Sequence, residues 1–145
     1  MSNLLVGEAV LVIGAGGLLG TKVTKYALEQ GAKVLAVDLS LDYLQTELSK
    51  NGVDITNANL SLSILDITVE RDLIYFFERD IKITGAVNCT YPRNKAYGAH
   101  FNDVKLSNFN ENVSLHLGSS FLFIQQCAKY FEFLRISFER FFLIR

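Results

Sequence analysis

The feature that most constrains the fold is the glycine-rich stretch Val10–Gly20, which reads VLVIGAGGLLG. Its apolar first half predicts a buried strand, and a helical pattern follows the glycines at once. Gly14, Gly17 and Gly20 have the spacing G-x-x-G-x-x-G. We expect Gly14 to turn the backbone without a Cβ clash, Gly17 to let a pyrophosphate approach, and Gly20 to let the helix pack close to the strand.

A second strand, Lys33–Asp38, ends in an acid about twenty residues after the glycines, as the dinucleotide-binding fingerprint requires. The first N–H groups of the intervening helix, at Leu18, Leu19 and Gly20, would bind the anion together with the positive end of the helix dipole. Asp38 would accept hydrogen bonds from the adenosine ribose hydroxyls, or it would cap the helix after it. No Lys or Arg follows at positions 39–40 to pair with a 2′-phosphate, so we expect NAD rather than NADP.

Alternating strands and helices continue along the chain. The predicted helices and the remaining strands are Thr21–Gln30, Leu41–Lys50, Asn59–Leu65, Val69–Arg79, Gly85–Cys89 and Asn108–Phe131. The last helix carries an apolar stripe through Val113, Leu117, Phe121, Ile124 and Ala128. This order predicts an α/β, doubly wound parallel sheet of Rossmann type, with strand order 3-2-1-4 and helices on both faces. Ligands of such sheets bind at the carboxyl ends of the strands.

Composition excludes several classes of protein. The 145 residues suit one domain, half of them are apolar, and the net charge is −1. There is no basic stretch for nucleic acid or an anionic membrane, and the apolar runs are too short to cross a bilayer. The start lacks a basic region before its apolar part, so we do not expect a signal peptide. Two cysteines in apolar surroundings predict free thiols in a cytoplasmic protein, and no metal site is predicted.

Several motifs resemble the short-chain dehydrogenase/reductase family over Val6 to about Phe131. The glycine spacing is similar to the variant common in extended members, although Ile13 stands where the family has Thr. Asp66-Ile67-Thr68 resembles the pair that lies over the adenine in that family, and the alternative is a cap on the following helix. Val87–Tyr91 is similar to the family's V-N-N-A-G motif but keeps only its first Asn. The resemblance implies that Asn88 stabilises the sheet centre and touches the cofactor ribose; the alternative is an ordinary Asn at a strand end.

The stretch from His116 to Gln125 resembles the family's N-L-x-G-x-F-x-x-x-Q helix. The resemblance places His116 at the catalytic Asn, which holds a water in the proton relay. Asn112, one helical turn earlier, is the alternative residue for that catalytic position. The alternative interpretation of His116 itself is a partly buried histidine bonded to a backbone carbonyl. The polar loop from 91 to 107 offers possible substrate contacts, or it is a solvated surface loop. Those candidates are Tyr91, Arg93, Asn94, Lys95 and His100.

The family's chemistry needs a Tyr and a Lys spaced Y-x-x-x-K on a later helix, and this chain ends before that helix. The string Tyr91–Lys95 contains Pro92 and follows strand four, so we expect it to be a coincidence. We interpret residues 1–131 as the N-terminal part of an NAD(P)-binding domain and 132–145 as an atypical Phe-rich tail. A truncated or frameshifted product, a continued helix and a terminal strand replacing strand five all remain open for that tail. Without a fifth strand, strand four would leave an unpaired edge.

The resemblance implies an NAD-dependent oxidoreductase acting on a sugar or sugar nucleotide. The 91–102 loop and the last helix look most like the oxidoreductases of bacterial flagellin-modification and nonulosonic-acid pathways. Two other functions stay open: a non-catalytic dinucleotide-binding fragment, and an interaction protein that uses the Phe-rich tail. The partner implied is a small carbohydrate in the full-length form, and a homo-oligomer stays open.

Overall fold

The computed structural model describes residues 3–133 and 141–143. Within these described residues, five strands and five α-helices follow one another, with a 3₁₀ turn at Phe101–Asp103 and a π-helical turn at Ser114–Gly118 between elements. In chain order they are β1 Ala9–Ile13, α1 Leu18–Glu29, β2 Lys33–Asp38, α2 Leu41–Lys50, β3 Leu60–Ile64, α3 Glu70–Glu78, β4 Gly85–Asn88, α4 Leu106–Val113, α5 Ser119–Phe133 and β5 Phe141–Leu143.

The strands form one parallel sheet in the order β3-β2-β1-β4-β5. The prediction of a doubly wound sheet with order 3-2-1-4 is therefore confirmed, and a fifth strand is added to it. The expected unpaired edge of strand four is wrong, because β5 pairs with β4 in the register Val87 to Phe142. Among the three interpretations of the tail, the structure shows a helix continued to Phe133 and then a terminal strand; residues 134–140 and 144–145 lie outside the described part.

The sheet is covered on both faces by two separate apolar cores. Val12 and Val34 point to the α1–α2 side, where their neighbours are small, as Ala15, Ala27 and Ala36 illustrate. The opposite core takes Leu11 and Ile13 from β1 and is filled by aromatic side chains of α3 and α5, among them Phe76, Phe77, Phe123 and Phe131. Small residues on the first side let α1 lie close to the sheet, beside the glycine turn.

Element boundaries follow local signals where these are strong. β2 and α2 have the predicted bounds. Gly31 and Gly52 both follow helix ends with φ of +88° and +77°, as expected of glycines that stop helices.

The predicted long helix Asn108–Phe131 is interrupted by the π-helical turn. Its apolar stripe lies largely on the outside: Leu117 and Phe121 are more than half exposed, whereas Phe123, Cys127 and Phe131 face the core. Among the described residues, no helix combines the length and the apolar character needed to cross a bilayer.

Candidate functional site

The backbone around the glycine turn leaves no room for side chains at two of the three glycines of the G-x-x-G-x-x-G motif, Gly14 and Gly20. Gly14 has φ +75°, and a Cβ there would lie 2.8 Å from the carbonyl carbon of Cys89. A Cβ at Gly20 would lie 2.0 Å from the carbonyl oxygen of Gly14. Both values are below the separation of real Cβ contacts, so the turn and the close approach of α1 require glycine there. These roles agree with those expected for Gly14 and Gly20.

The start of α1 offers backbone donors to an anion. Gly17 is the N-cap residue, in extended conformation, and Thr21 is the first residue whose N–H bonds back to it. The N–H groups of Leu18, Leu19 and Gly20 therefore have no acceptor within the helix. A Cβ at Gly17 would be 3.3 Å from Gly14 O, so Gly17 is less constrained by packing than its two neighbours in the motif.

Asp38 stands beside this turn at the carboxyl end of β2. One oxygen, Oδ2, accepts the Gly16 N–H at 2.8 Å, and the other, Oδ1, accepts the Leu39 N–H at 2.8 Å. Asp38 does not cap α2, because the cap is Ser40, whose Oγ accepts the Tyr43 N–H at 3.3 Å. Each carboxylate oxygen has lone pairs left for a ribose hydroxyl.

Asp66 and Ile67 follow the next strand, β3. Asp66 Oδ1 accepts both the N–H and the hydroxyl of Thr68, at 2.9 and 2.6 Å. The alternative role as a helix cap is not found, since α3 begins after Val69, which provides no capping side chain. Ile67 is only 4% exposed as a whole residue and belongs to the core.

Asn88 ends β4 and is 1% exposed. Its Oδ1 accepts the N–H and the hydroxyl of Thr90, at 3.0 and 2.7 Å, and its backbone is in register with Ile13 and Leu143. The side chain therefore holds the chain as it leaves the sheet centre. Cys89 comes next, and burial raises the pKa of its thiol to about 11, so it is protonated at neutral pH.

His116 lies in the π-helical turn, a distortion that often marks functional positions in helices. Its ring contacts Tyr91 edge to face, with centroids 4.2 Å apart, and lies nearly parallel to Tyr97 at 6.0 Å. Nε2 of His116 is buried and has no hydrogen-bond partner among the described residues. The ring also lines a cavity of about 460 Å³ under the 96–104 segment. Nε2 of His116 is therefore not hydrogen-bonded to a backbone carbonyl in the described part of the chain, which was the alternative interpretation of this residue.

The loop candidates divide into structural and exposed residues. Asn94 and Asn112 exchange two hydrogen bonds of 3.0 Å, and Asn94 Nδ2 also donates to Glu111, so both link the loop to α4. His100 Nδ1 accepts the Asn102 N–H and caps the 3₁₀ turn. The guanidinium of Arg93 lies 5.9 Å from the Tyr91 ring centre.

Tyr91 and Lys95 do not lie on a helix, as expected. The hydroxyls of Tyr91 and Tyr97 are hydrogen-bonded, which raises the pKa of Tyr91, the opposite of what an activated proton donor needs.

A scan against protein-family models matches residues 10–114 to the NAD dependent epimerase/dehydratase family. The chain belongs to the NAD dependent epimerase/dehydratase family. Every cofactor candidate lies inside that match, and His116 lies two residues beyond it. The family's dependence on NAD supports NAD(P) binding.

Solved structures of short-chain dehydrogenases share the fold of this epimerase/dehydratase family chain. One from Leptospira borgpetersenii, with bound NAD+, has a TM-score of 0.71 at 20% identity and is matched over 89% of this chain and 48% of its own. One from Mycobacterium ulcerans has a TM-score of 0.71 at 18% identity, over 90% of this chain and 48% of its own. One from Bacillus anthracis has a TM-score of 0.72 at 16% identity, and the match covers 89% of this chain and 52% of its own. The chain thus spans about half the length of these structures. A search of curated protein sequences finds no match.

Sequence reasoning missed two residues at this family member's site. Gly16 lies outside the G-x-x-G-x-x-G spacing, yet its N–H is the donor to Asp38. Tyr43 was part of a predicted helix, yet its ring lies against Gly16. No local pattern signals either contact, because residues 16 and 43 meet only after β2 is placed beside β1.

Proposed function

We propose that this chain binds NAD at the carboxyl edge of the sheet, as the nucleotide-binding unit of an oxidoreductase. The observation that carries the proposal is the meeting of three features at one point: the glycine turn, the open N–H groups of α1 and the Asp38 carboxylate, joined by the bond from Gly16 N to Asp38 Oδ2. The pyrophosphate lies on Gly17, Leu18, Leu19 and Gly20.

The adenosine end uses the first three strands. The ribose lies on Asp38 and the adenine near Asp66 and Ile67, and Asn88 supports the cofactor ribose region at β4. NAD is preferred over NADP because a carboxylate repels a 2′-phosphate and accepts ribose hydroxyls.

The substrate we propose is a hydroxyl or carbonyl of a carbohydrate or sugar nucleotide, in a cytoplasmic enzyme. Support comes from the resemblance of the 91–102 loop and the helix after it to oxidoreductases of flagellin-modification and nonulosonic-acid pathways. His116, with its buried open nitrogen beside two tyrosines, is the side chain proposed to hold a water there.

We further propose that this 145-residue chain binds NAD without turning over a substrate. Among the described residues, the one Tyr–Lys pair with Y-x-x-x-K spacing is Tyr91–Lys95, outside any helix. General acid–base catalysis typically contributes about 10²–10⁴-fold to a rate, so we expect turnover without such a pair to be lower by about that factor. The row of exposed apolar side chains on α4 and α5, such as Phe109 and Phe121, supports association with a second copy.

The test is calorimetric titration of NAD into the parent and into Gly17→Val. The branched side chain at residue 17 projects from the cap where the pyrophosphate must approach, and we expect at least a tenfold loss of affinity, equal to about 1.4 kcal/mol. Gly118→Ala is the control, because a Cβ there meets nothing closer than 3.7 Å and residue 118 lies outside the glycine turn. If Gly17→Val is folded by circular dichroism and binds NAD like the parent, the turn is only structural and the proposal is wrong.

A further inference from the structure

Tyr43 stands beside the two groups to which the adenosine ribose has been assigned. A Cβ built on Gly16 would lie 2.8 Å from Cε1 and 3.0 Å from Cδ1 of Tyr43, and 3.1 Å from Oδ2 of Asp38. The ring and the carboxylate thus border the same small space over the glycine turn. A side chain at residue 16 would therefore have to displace the Tyr43 ring.

The position of Tyr43 is set by the start of α2. Ser40 caps this helix through the bond from Tyr43 N–H to Ser40 Oγ, which places Tyr43 at the third helical residue. The core residues Leu44 and Leu48 are fully buried and fix which side of α2 faces the sheet. Tyr43 is still 48% exposed, so one side of the ring contacts the turn while the rest is open to a ligand.

We propose that Tyr43 is a specificity-determining residue of the nucleotide site, forming the side of the adenosine ribose pocket next to Asp38. An aromatic ring there supplies apolar contact area to the ribose and base with little loss of side-chain entropy. It also fills the space beside Asp38 into which a 2′-phosphate would project. Asp38 therefore repels that phosphate by charge, and Tyr43 excludes it by volume.

This inference rests on the proposed NAD-binding function, and its test separates the two. The affinities of ADP-ribose, NAD and NADP are measured by calorimetry for the parent, Tyr43→Ala and Tyr43→Phe. We expect Tyr43→Ala to weaken ADP-ribose and NAD about tenfold, since aromatic stacking on a base is worth roughly 5- to 150-fold in affinity. NADP is weakened less, so the preference for NAD falls. Tyr43→Phe keeps the ring and the parent affinities.

The matched control is Tyr75→Ala, an exposed tyrosine on α3, with 65% of its surface accessible against 48% for Tyr43. It removes the same ring away from the turn and leaves all three affinities unchanged. If the parent binds NAD and the affinity of Tyr43→Ala for NAD is within twofold of the parent's, the proposed role of Tyr43 is wrong, while the NAD-binding function stands. A parent that binds neither NAD nor ADP-ribose overturns the proposed function and this inference together.

A double substitution tests the contact itself. Gly16→Ala forces the Tyr43 ring to move, because its new methyl group would lie 2.8 Å from Cε1. We expect it to lower ADP-ribose affinity several-fold in the parent and to have little further effect in Tyr43→Ala, since no ring is left to displace. Equal losses in the two backgrounds would show that Gly16 acts without Tyr43 and would overturn the proposal.

Discussion

Replacing Gly20 by alanine should destabilise the fold far more than the same change at Gly17. The added methyl group at residue 20 would lie 2.0 Å from Gly14 O and 2.7 Å from the Ala15 Cα, both backbone atoms. Since real Cβ contacts stay above about 3 Å, α1 must move outward by about 1 Å. That shift opens the side of the sheet where Ala27 and Thr24 are buried against it.

Overpacking of this kind costs about 1–3 kcal/mol, and contact with a backbone carbonyl places Gly20→Ala at the upper end. The better helix propensity of alanine returns up to about 1 kcal/mol, so the free energy of unfolding falls by roughly 2 kcal/mol. For a chain of this size we expect the melting temperature to drop by about 4–8 °C. Gly17→Ala, with its contact at 3.3 Å, should change the free energy of unfolding by less than about 1 kcal/mol.

Urea denaturation followed by far-UV circular dichroism measures both variants against the parent. The reasoning depends on the order of the two values more than on their size. If Gly20→Ala is as stable as the parent, or no less stable than Gly17→Ala, the close approach of α1 to the turn is not real and the geometric explanation of the motif fails.

Two further predictions concern Asp38 and Cys89. Asp38→Asn keeps an oxygen to accept the Gly16 N–H but removes the charge, so we expect the preference for NAD over NADP to fall about tenfold by calorimetry; a parent that binds NADP more tightly than NAD would contradict it. The pKa of the Cys89 thiol is raised from 9.0 to about 11, so this group stabilises the fold below pH 9 and loses that contribution as the pH rises from 9 to 11. Urea unfolding at pH 8, 9 and 10 should show a steeper loss for the parent than for Cys89→Ala, and parallel pH dependences would refute the assignment.

The sequence predicted those parts of the fold whose signals are local. β2 alternates apolar residues and ends at an acid, and α2 runs from a serine cap to Asn51-Gly52, so both elements have their predicted bounds. The glycine turn was predictable because its chemistry leaves few alternatives: a positive φ at Gly14 and a 2.0 Å approach at Gly20 both exclude side chains. The positions of Asp38 and Asp66, at and just after the carboxyl ends of β2 and β3, follow from the order of the strands.

Contacts between distant segments could not be predicted in this way. α5 has apolar residues around most of its circumference, so no stripe identifies the buried side, and Phe121 is exposed while Phe123 is buried. The packing of the 91–104 loop against the helix, just before the π-helical turn, depends on bonds between Asn94 and Asn112, which lie 18 positions apart in the chain. The pairing of β5 with β4 depends on a strand of three residues, which is too short for a period to show.

The distribution of polar groups along the sheet edge leads to one more prediction, that ADP-ribose binds nearly as tightly as NAD. The groups assigned to adenosine and pyrophosphate, from the α1 N–H groups to Asp38 and Asp66, lie at the ends of β1, β2 and β3. At the end of β4, the Asn88 oxygen already accepts two hydrogen bonds from Thr90, so that oxygen offers no acceptor to the nicotinamide half of the cofactor. We expect dissociation constants for ADP-ribose and NAD within about threefold, a difference below about 0.7 kcal/mol. The dissociation constants of ADP-ribose and NAD are measured by competition between the two ligands, for the parent and for His116→Ala. If NAD binds more than tenfold tighter and His116→Ala removes the difference, the π-helical turn holds the nicotinamide end, and the division of the site argued from these contacts is wrong.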